Sequence, residues 1–189
     1  MIFWDEQTGG VKIAALTLLD RLVVAVHRAG AASITVVARN NPAGLKRTNA
    51  LEIPVRFLRD APARESATLV ARSNLLVQAA EVRALLQHGG RLATNDGKPL
   101  SIGVLPPGDA SWETELDRLP TRSATGVAFR IPDVATARQA ERALWGSLTS
   151  SSDGLVDRVF NRPCGRHLSK VLIHTPISPT AVSLASIVI

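Results

Sequence analysis

Two sets of residues in this chain have the types and spacing to do chemistry, and both are suited to meet anions. The first is Gly9, Gly10 and Lys12, which follow the apolar run Met1-Ile2-Phe3-Trp4 and precede a helical stretch. Glycines between a strand and a helix let backbone amides approach a phosphate, and a lysine beside them adds charge. Two adjacent glycines more often make a plain turn, so the loop by itself is a weak signal. The second set is Arg158, Arg162, Arg166 and Lys170, each four residues after the last. On a helix that spacing builds one ladder of cations, in which each neighbouring pair repels by about 0.2 to 0.5 kcal/mol. The ladder makes sense against an anionic surface. A leaflet of acidic lipids returns roughly 1 kcal/mol per basic residue.

Other chemistries lack their residues. Asp5 and Glu6 could offer carboxylates at a strand end, but an acidic pair in a loop is usually solvated. His27, His88, His167 and His174 share no metal-ligand spacing, and no Gly-x-Ser-x-Gly is present to make a nucleophile turn. Cys164 is alone, which excludes an internal disulfide and leaves a structural thiol beside Pro163 and Gly165. The net charge of +6 favours anionic partners. Nucleic acid is not expected among them: with three Trp, four Phe and no Tyr, no basic run is interleaved with stacking platforms. Met1 to Trp4 is followed at once by Asp5 and Glu6, which is no signal peptide, so the folded part is expected in the cytoplasm.

The elements that must position these residues read as an α/β domain with a mainly parallel mixed sheet. Met1 to Trp4 is a first strand and Leu16 to Ala29 a helix with Leu18, Leu19, Leu22, Val23 and Val26 on one face, stopped by Gly30. Ser33 to Ala38 is a β-branched strand, so strand, glycine loop, helix and strand form a right-handed βαβ unit. Strands at Ile53 to Leu58 and Ala67 to Ala71 and a helix at Ala79 to His88 continue the alternation. Asn95-Asp96-Gly97-Lys98 marks a hairpin between Arg91 to Thr94 and Leu100 to Leu105. A short helix at Asp109 to Leu119, a strand at Thr125 to Ile131 and a long helix at Pro132 to Leu148 follow. That last helix has Val134, Ala137, Ala140, Leu144 and Trp145 at helical spacing, with Asp133 near its start.

The last forty residues change character. After the serine-rich linker, Asp153 to His174 has a helical pattern with Val156, Val159, Phe160 and Val171 on one side and the basic ladder beside them. From Ile177 onward there is no charge, Ser178 can cap a helix and Pro179 suits its first turn. A span needs about 20 apolar residues and about ten follow Pro179, so an interrupted first transmembrane helix is expected. A short amphipathic helix with a buried apolar tail is the bland alternative.

The run V-F-N-R-P-C-G-R-H-L-S-K-V-L-I-H-T-P-I-S-P-T-A-V-S-L resembles the start of the membrane domain of the CDP-alcohol phosphatidyltransferase family. There, a juxtamembrane amphipathic helix with an Asn-x-Pro element leads through a Thr-Pro turn into the first membrane helix. The family's catalytic motif, D-x2-D-G-x2-A-R followed by G-x3-D-x3-D, does not occur, and Asp153-Gly154 is not part of it. Residues 1–149 resemble, in order of elements, the Rossmann-like nucleotidyltransferase fold of sugar-phosphate and inositol-phosphate cytidylyltransferases, which precedes the membrane part in some members. The resemblance implies a degenerate nucleotidyltransferase-like domain over 1–149, a linker and juxtamembrane helix over 150–175, and a truncated membrane helix over 176–189.

It further implies a transferase of phospholipid or phosphoinositol type on the cytoplasmic side of the inner membrane. Mg2+ would serve the absent membrane part and CTP or a CDP-alcohol would be the nucleotide, with an anionic membrane surface and a second copy of the chain as partners. Gly9, Gly10 and Lys12 would stand in for part of the triphosphate loop. Leu16-Thr17-Leu18 takes the place of Lys-Pro-Leu without its lysine or proline. Relatives put a Mg2+-binding aspartate just after the central strand. Here that place reads Arg72-Ser73-Asn74, where Asn74 is a weak ligand and Arg72 brings the wrong charge, so no magnesium site is expected. The alternatives are an active nucleotidyltransferase making a CDP-linked polyol or sugar, and an α/β nucleotide-binding domain unrelated to membranes.

Overall fold

The computed structural model describes residues 1–40 and 42–147. The linker, the ladder Arg158, Arg162, Arg166 and Lys170, and the apolar end at 176–189 lie outside the described residues.

Strand β1 (Ile2–Phe3) is followed by a small antiparallel hairpin, β2 (Lys12–Ile13) and β3 (Leu16–Thr17), which runs directly into helix α1 (Leu18–Arg28). Next come β4 (Ile34–Val37), the short helix α2 (Lys46–Ala50), β5 (Val55–Leu58), β6 (Thr68–Arg72) and β7 (Leu75–Val77). Helix α3 (Ala79–His88), β8 (Gly90–Ala93), β9 (Pro99–Leu105), α4 (Trp112–Arg118), β10 (Thr121–Ser123), β11 (Ala128–Arg130) and α5 (Val134–Ser147) follow within the described residues. Seven strands form one sheet in the order β10-β8-β9-β6-β1-β4-β5. Only β9 runs against its neighbours, so the sheet is mixed and mainly parallel, as the alternation predicts.

The layers follow from the alternation of side chains along β6. Leu69 and Ala71 join the core under α1, which buries Leu19, Leu22, Val23 and Val26 against Ile34 and Val36. Val70 points the other way, into a smaller cluster with Leu105, Trp112 and Leu116 beneath α4. Gly103 in β9 is needed there, because a Cβ would lie 2.6 Å from Leu116 Cδ1 and 2.7 Å from the Gly90 carbonyl. A third cluster joins Ile13, Leu18, Leu76, Val127, Ile131, Ala137 and Ala140, holding α5 against the first hairpin.

Three expectations need correction. The helix begins at Leu18 rather than Leu16, because Lys12 to Thr17 is spent on the hairpin and Thr17 Oγ1 accepts the Asp20 amide at 3.2 Å as its N-cap. The strand expected at Thr125 to Ile131 is three residues long and pairs with β7 in its own two-stranded sheet. Val134, placed by periodicity on the apolar face of α5, is 60% exposed, since the packed positions are Ala137 and Ala140 one turn further on.

Candidate functional site at the strand-order reversal

From β1 the chain builds outward to β4 and β5, then returns to lay β6 on the opposite side of β1. In open α/β sheets such a reversal leaves a crevice beyond the carboxyl ends of the strands, and ligands bind there. The segments at this point are the loop from Trp4 to Val11 after β1 and Ser73-Asn74 after β6. The parallel pairing is continued past Phe3, whose carbonyl accepts the Ser73 amide at 2.9 Å.

Asp5 organises the loop. Its amide donates to Ser73 Oγ at 2.8 Å, and its Oδ1 accepts the Gln7 and Thr8 amides, each at 3.1 Å. Its Oδ2 accepts Asn74 Nδ2 at 3.2 Å. Glu6 Oε1, out in solvent, accepts Asn40 Nδ2 at 3.1 Å and links this loop to the one after β4. Two oxygens behind Asp5, Thr8 Oγ1 and Asn74 Oδ1, are buried without a hydrogen-bond partner among the described residues.

The residues singled out in the loop have separate positions. Gly9 faces inward: a Cβ there would sit 2.3 Å from the Trp4 ring and 2.7 Å from both the Asp5 carbonyl and Ser73 Oγ. Its amide donates to the Asp5 carbonyl at 2.8 Å, so Gly9 closes the turn and keeps no N–H for a phosphate. Gly10 is exposed, with nothing within 4 Å of an added Cβ. Lys12 lies on β2 with its side chain in solvent, opposite Thr17 in the hairpin. Sequence reasoning missed Thr8 and Ser73. Neither carries a motif, and only the pairing of β1 with β6 brings residue 73 to residue 5.

The residues present do not fit a Mg2+ site of the kind that serves a bound nucleotide. A magnesium ion takes charged oxygens in an octahedron. Here Asp5 already accepts three hydrogen bonds, and Asn74 turns its amide hydrogens toward that carboxylate. Arg72 projects toward the α4 side, 3.3 Å from Glu113 Oε1 and 5.5 Å from the centre of the Trp112 ring, which stacks on Phe3 at 4.4 Å. No cluster of His, Cys, Asp and Glu suited to a metal occurs among the described residues.

A second opening, about 230 Å³, lies on the α4 side and is lined by Met1, Phe3, Val70, Arg64 and Trp112. Burial pushes the Met1 amino group down to about 6, and that group donates to the Leu69 carbonyl. Arg64 is buried and committed, with Nε on the Pro106 carbonyl, Nη1 on the Ala110 carbonyl and Nη2 on Glu115. It clamps two loops and is not arranged as a ligand group.

Among the described residues no helix is long and apolar enough to cross a membrane. No protein-family model matches the chain, and no curated protein matches it.

Proposed function

We propose that the chain is the cytoplasmic N-terminal part of a membrane protein like the CDP-alcohol phosphatidyltransferases. Residues 1–149 form a nucleotidyltransferase-like domain that has become a scaffold, and residues 150–189 bring it to the inner membrane. In such proteins the membrane domain, with a divalent metal, transfers a phosphoalcohol unit from a CDP-alcohol to a hydroxyl. The observation that carries the scaffold reading is the commitment of Asp5. Among the described residues the one partly buried carboxylate at the strand-order reversal is spent on the Gln7 and Thr8 amides and on Asn74. The Gly9 amide is spent as well. The ladder Arg158, Arg162, Arg166 and Lys170 and the Asn-Arg-Pro and Thr-Pro elements support the membrane part.

A second reading, an active nucleotidyltransferase, has one observation in its favour: the unpartnered buried oxygens of Thr8 and Asn74 would welcome a polar ligand. Calorimetric titration with CTP and Mg2+ separates the two. The scaffold reading expects no binding at millimolar CTP, and micromolar, metal-dependent binding would replace it with the enzyme. Flotation with acidic liposomes tests the membrane part. Changing Arg158, Arg162, Arg166 and Lys170 to Glu is expected to weaken flotation, and undiminished flotation would remove the ladder from the proposal.

A further inference from the structure

The positive charge of the folded domain is concentrated in one place. Residues 1–147 hold eighteen Lys and Arg against fourteen Asp and Glu, and residues 39–60 alone hold five against two, which leaves thirteen against twelve elsewhere. This segment is the outer edge of the sheet: the loop after β4, helix α2 and the terminal strand β5. Arg39, Lys46, Arg47, Arg56 and Arg59 are all exposed. Two of the four large apolar side chains that stand exposed among the described residues, Leu51 and Phe57, are there too, at 39% and 41% exposure.

The patch is rigid. Phe57 lies opposite Val36, a fully buried residue under α1, so its ring sits on the α1 side of the sheet while Arg56 projects to the other side. Helix α2 is held on that same side by Asp20 of α1, which accepts the Arg47 amide at 2.8 Å, the Thr48 amide at 2.8 Å and Thr48 Oγ1 at 2.7 Å. Cations thus flank an apolar rim from both sides of one sheet edge.

We propose that this edge is a docking surface for an anionic lipid leaflet. Basic residues near such a surface each add attraction, and exposed Phe and Leu side chains enter the headgroup boundary. Pairing with a second copy is disfavoured: Pro54 precedes the strand, and Arg56 and Arg59 would face their own kind across a β5–β5 edge. The inference rests on the membrane reading for the presence of a leaflet, and on the β5 edge for the surface that meets it. It assigns lipid contact to the folded domain itself, separately from the ladder.

The test places an environment-sensitive fluorophore at residue 57 of the full chain, through Phe57→Cys in a Cys164→Ser background. Vesicles of equimolar phosphatidylglycerol and phosphatidylcholine are expected to shift its emission to the blue, and phosphatidylcholine alone is not. Arg56→Glu with Arg59→Glu, folding confirmed by circular dichroism, is expected to remove the shift and weaken association about tenfold or more. A fluorophore that stays in water while the chain pellets with vesicles would overturn the edge and leave the ladder standing. A shift unchanged by the double charge reversal would overturn it as well. A shift produced equally by DNA or an acidic protein would reassign the edge to a macromolecular polyanion.

Discussion

Asp20 shows how much one buried carboxylate can hold. It has no solvent exposure and accepts three hydrogen bonds from Arg47 and Thr48, whose amides open helix α2. Removing it orphans those donors inside the protein, so Asp20→Ala is expected to cost about 3 kcal/mol in urea unfolding. Asp133 caps α5 from the surface, its Oδ1 accepting the Thr136 amide at 2.7 Å, and that bond holds its carboxyl below the usual aspartate range. Ionised Asp133 therefore favours the folded state. Its contribution is full above the ordinary carboxylate pKa and is lost as pH falls through the lowered one. A carbon-detected NMR titration is expected to place its midpoint below that of an unfolded-chain aspartate. Asp133 was legible as a helix-start residue because its partner is three residues away. Asp20 was not: it sits in an apolar helical pattern, and Thr48 is 28 residues on.

Elements were legible in proportion to how local their causes are. Helix α3 occupies the residues that periodicity assigns it, Ala79–His88, and the Asp96-Gly97 turn appears where expected with Gly97 at φ 82. The hairpin β2–β3 carried no such signal. Its turn uses Ala14 at φ 44 and Ala15 at φ 67, where glycine or asparagine would announce it. Arg21 of α1 secures the turn, with Nε on the Ile13 carbonyl at 2.7 Å and Nη2 on the Ala14 carbonyl at 3.1 Å. An alanine in the left-handed region costs about 1 kcal/mol or more. Ala15→Gly is therefore expected to raise stability by up to about 1 kcal/mol, read as a higher thermal midpoint, and a drop would place the strain elsewhere. The three-residue strands β7 and β10 are too short for alternation to show, and tertiary pairing decides them.

For the whole molecule, the α/β class and mixed sheet followed from the order of apolar runs and turns, whereas the candidate site did not. Its glycines were visible, but their roles diverge: Gly9 is a packing contact and Gly10 is open to solvent, and only the neighbours brought by β6 decide which is which. The site is a product of distant pairing, since Asp5 meets Ser73 and Asn74 across about 70 positions of chain. The same pairing makes a chain-scale prediction about folding. Strand β1 is an interior strand of the sheet, with Ile2 beside Val36 on one flank and Ala71 on the other. Contacts of that separation slow folding, because the loop must close before they reward it.

On a translating ribosome β1 emerges ahead of both strands that will enclose it. At about 5 to 20 residues per second, its second flank arrives roughly 3 to 14 s later, and until then the β6 edge of Ile2 and Phe3 stays unpaired. Nascent chains arrested before β6 has left the exit tunnel are expected to be cut readily by protease. Chains arrested after β9 has emerged are expected to resist it. An interior strand of the sheet is thus made well before its second neighbour, which makes its open edge a natural holding point for a chaperone.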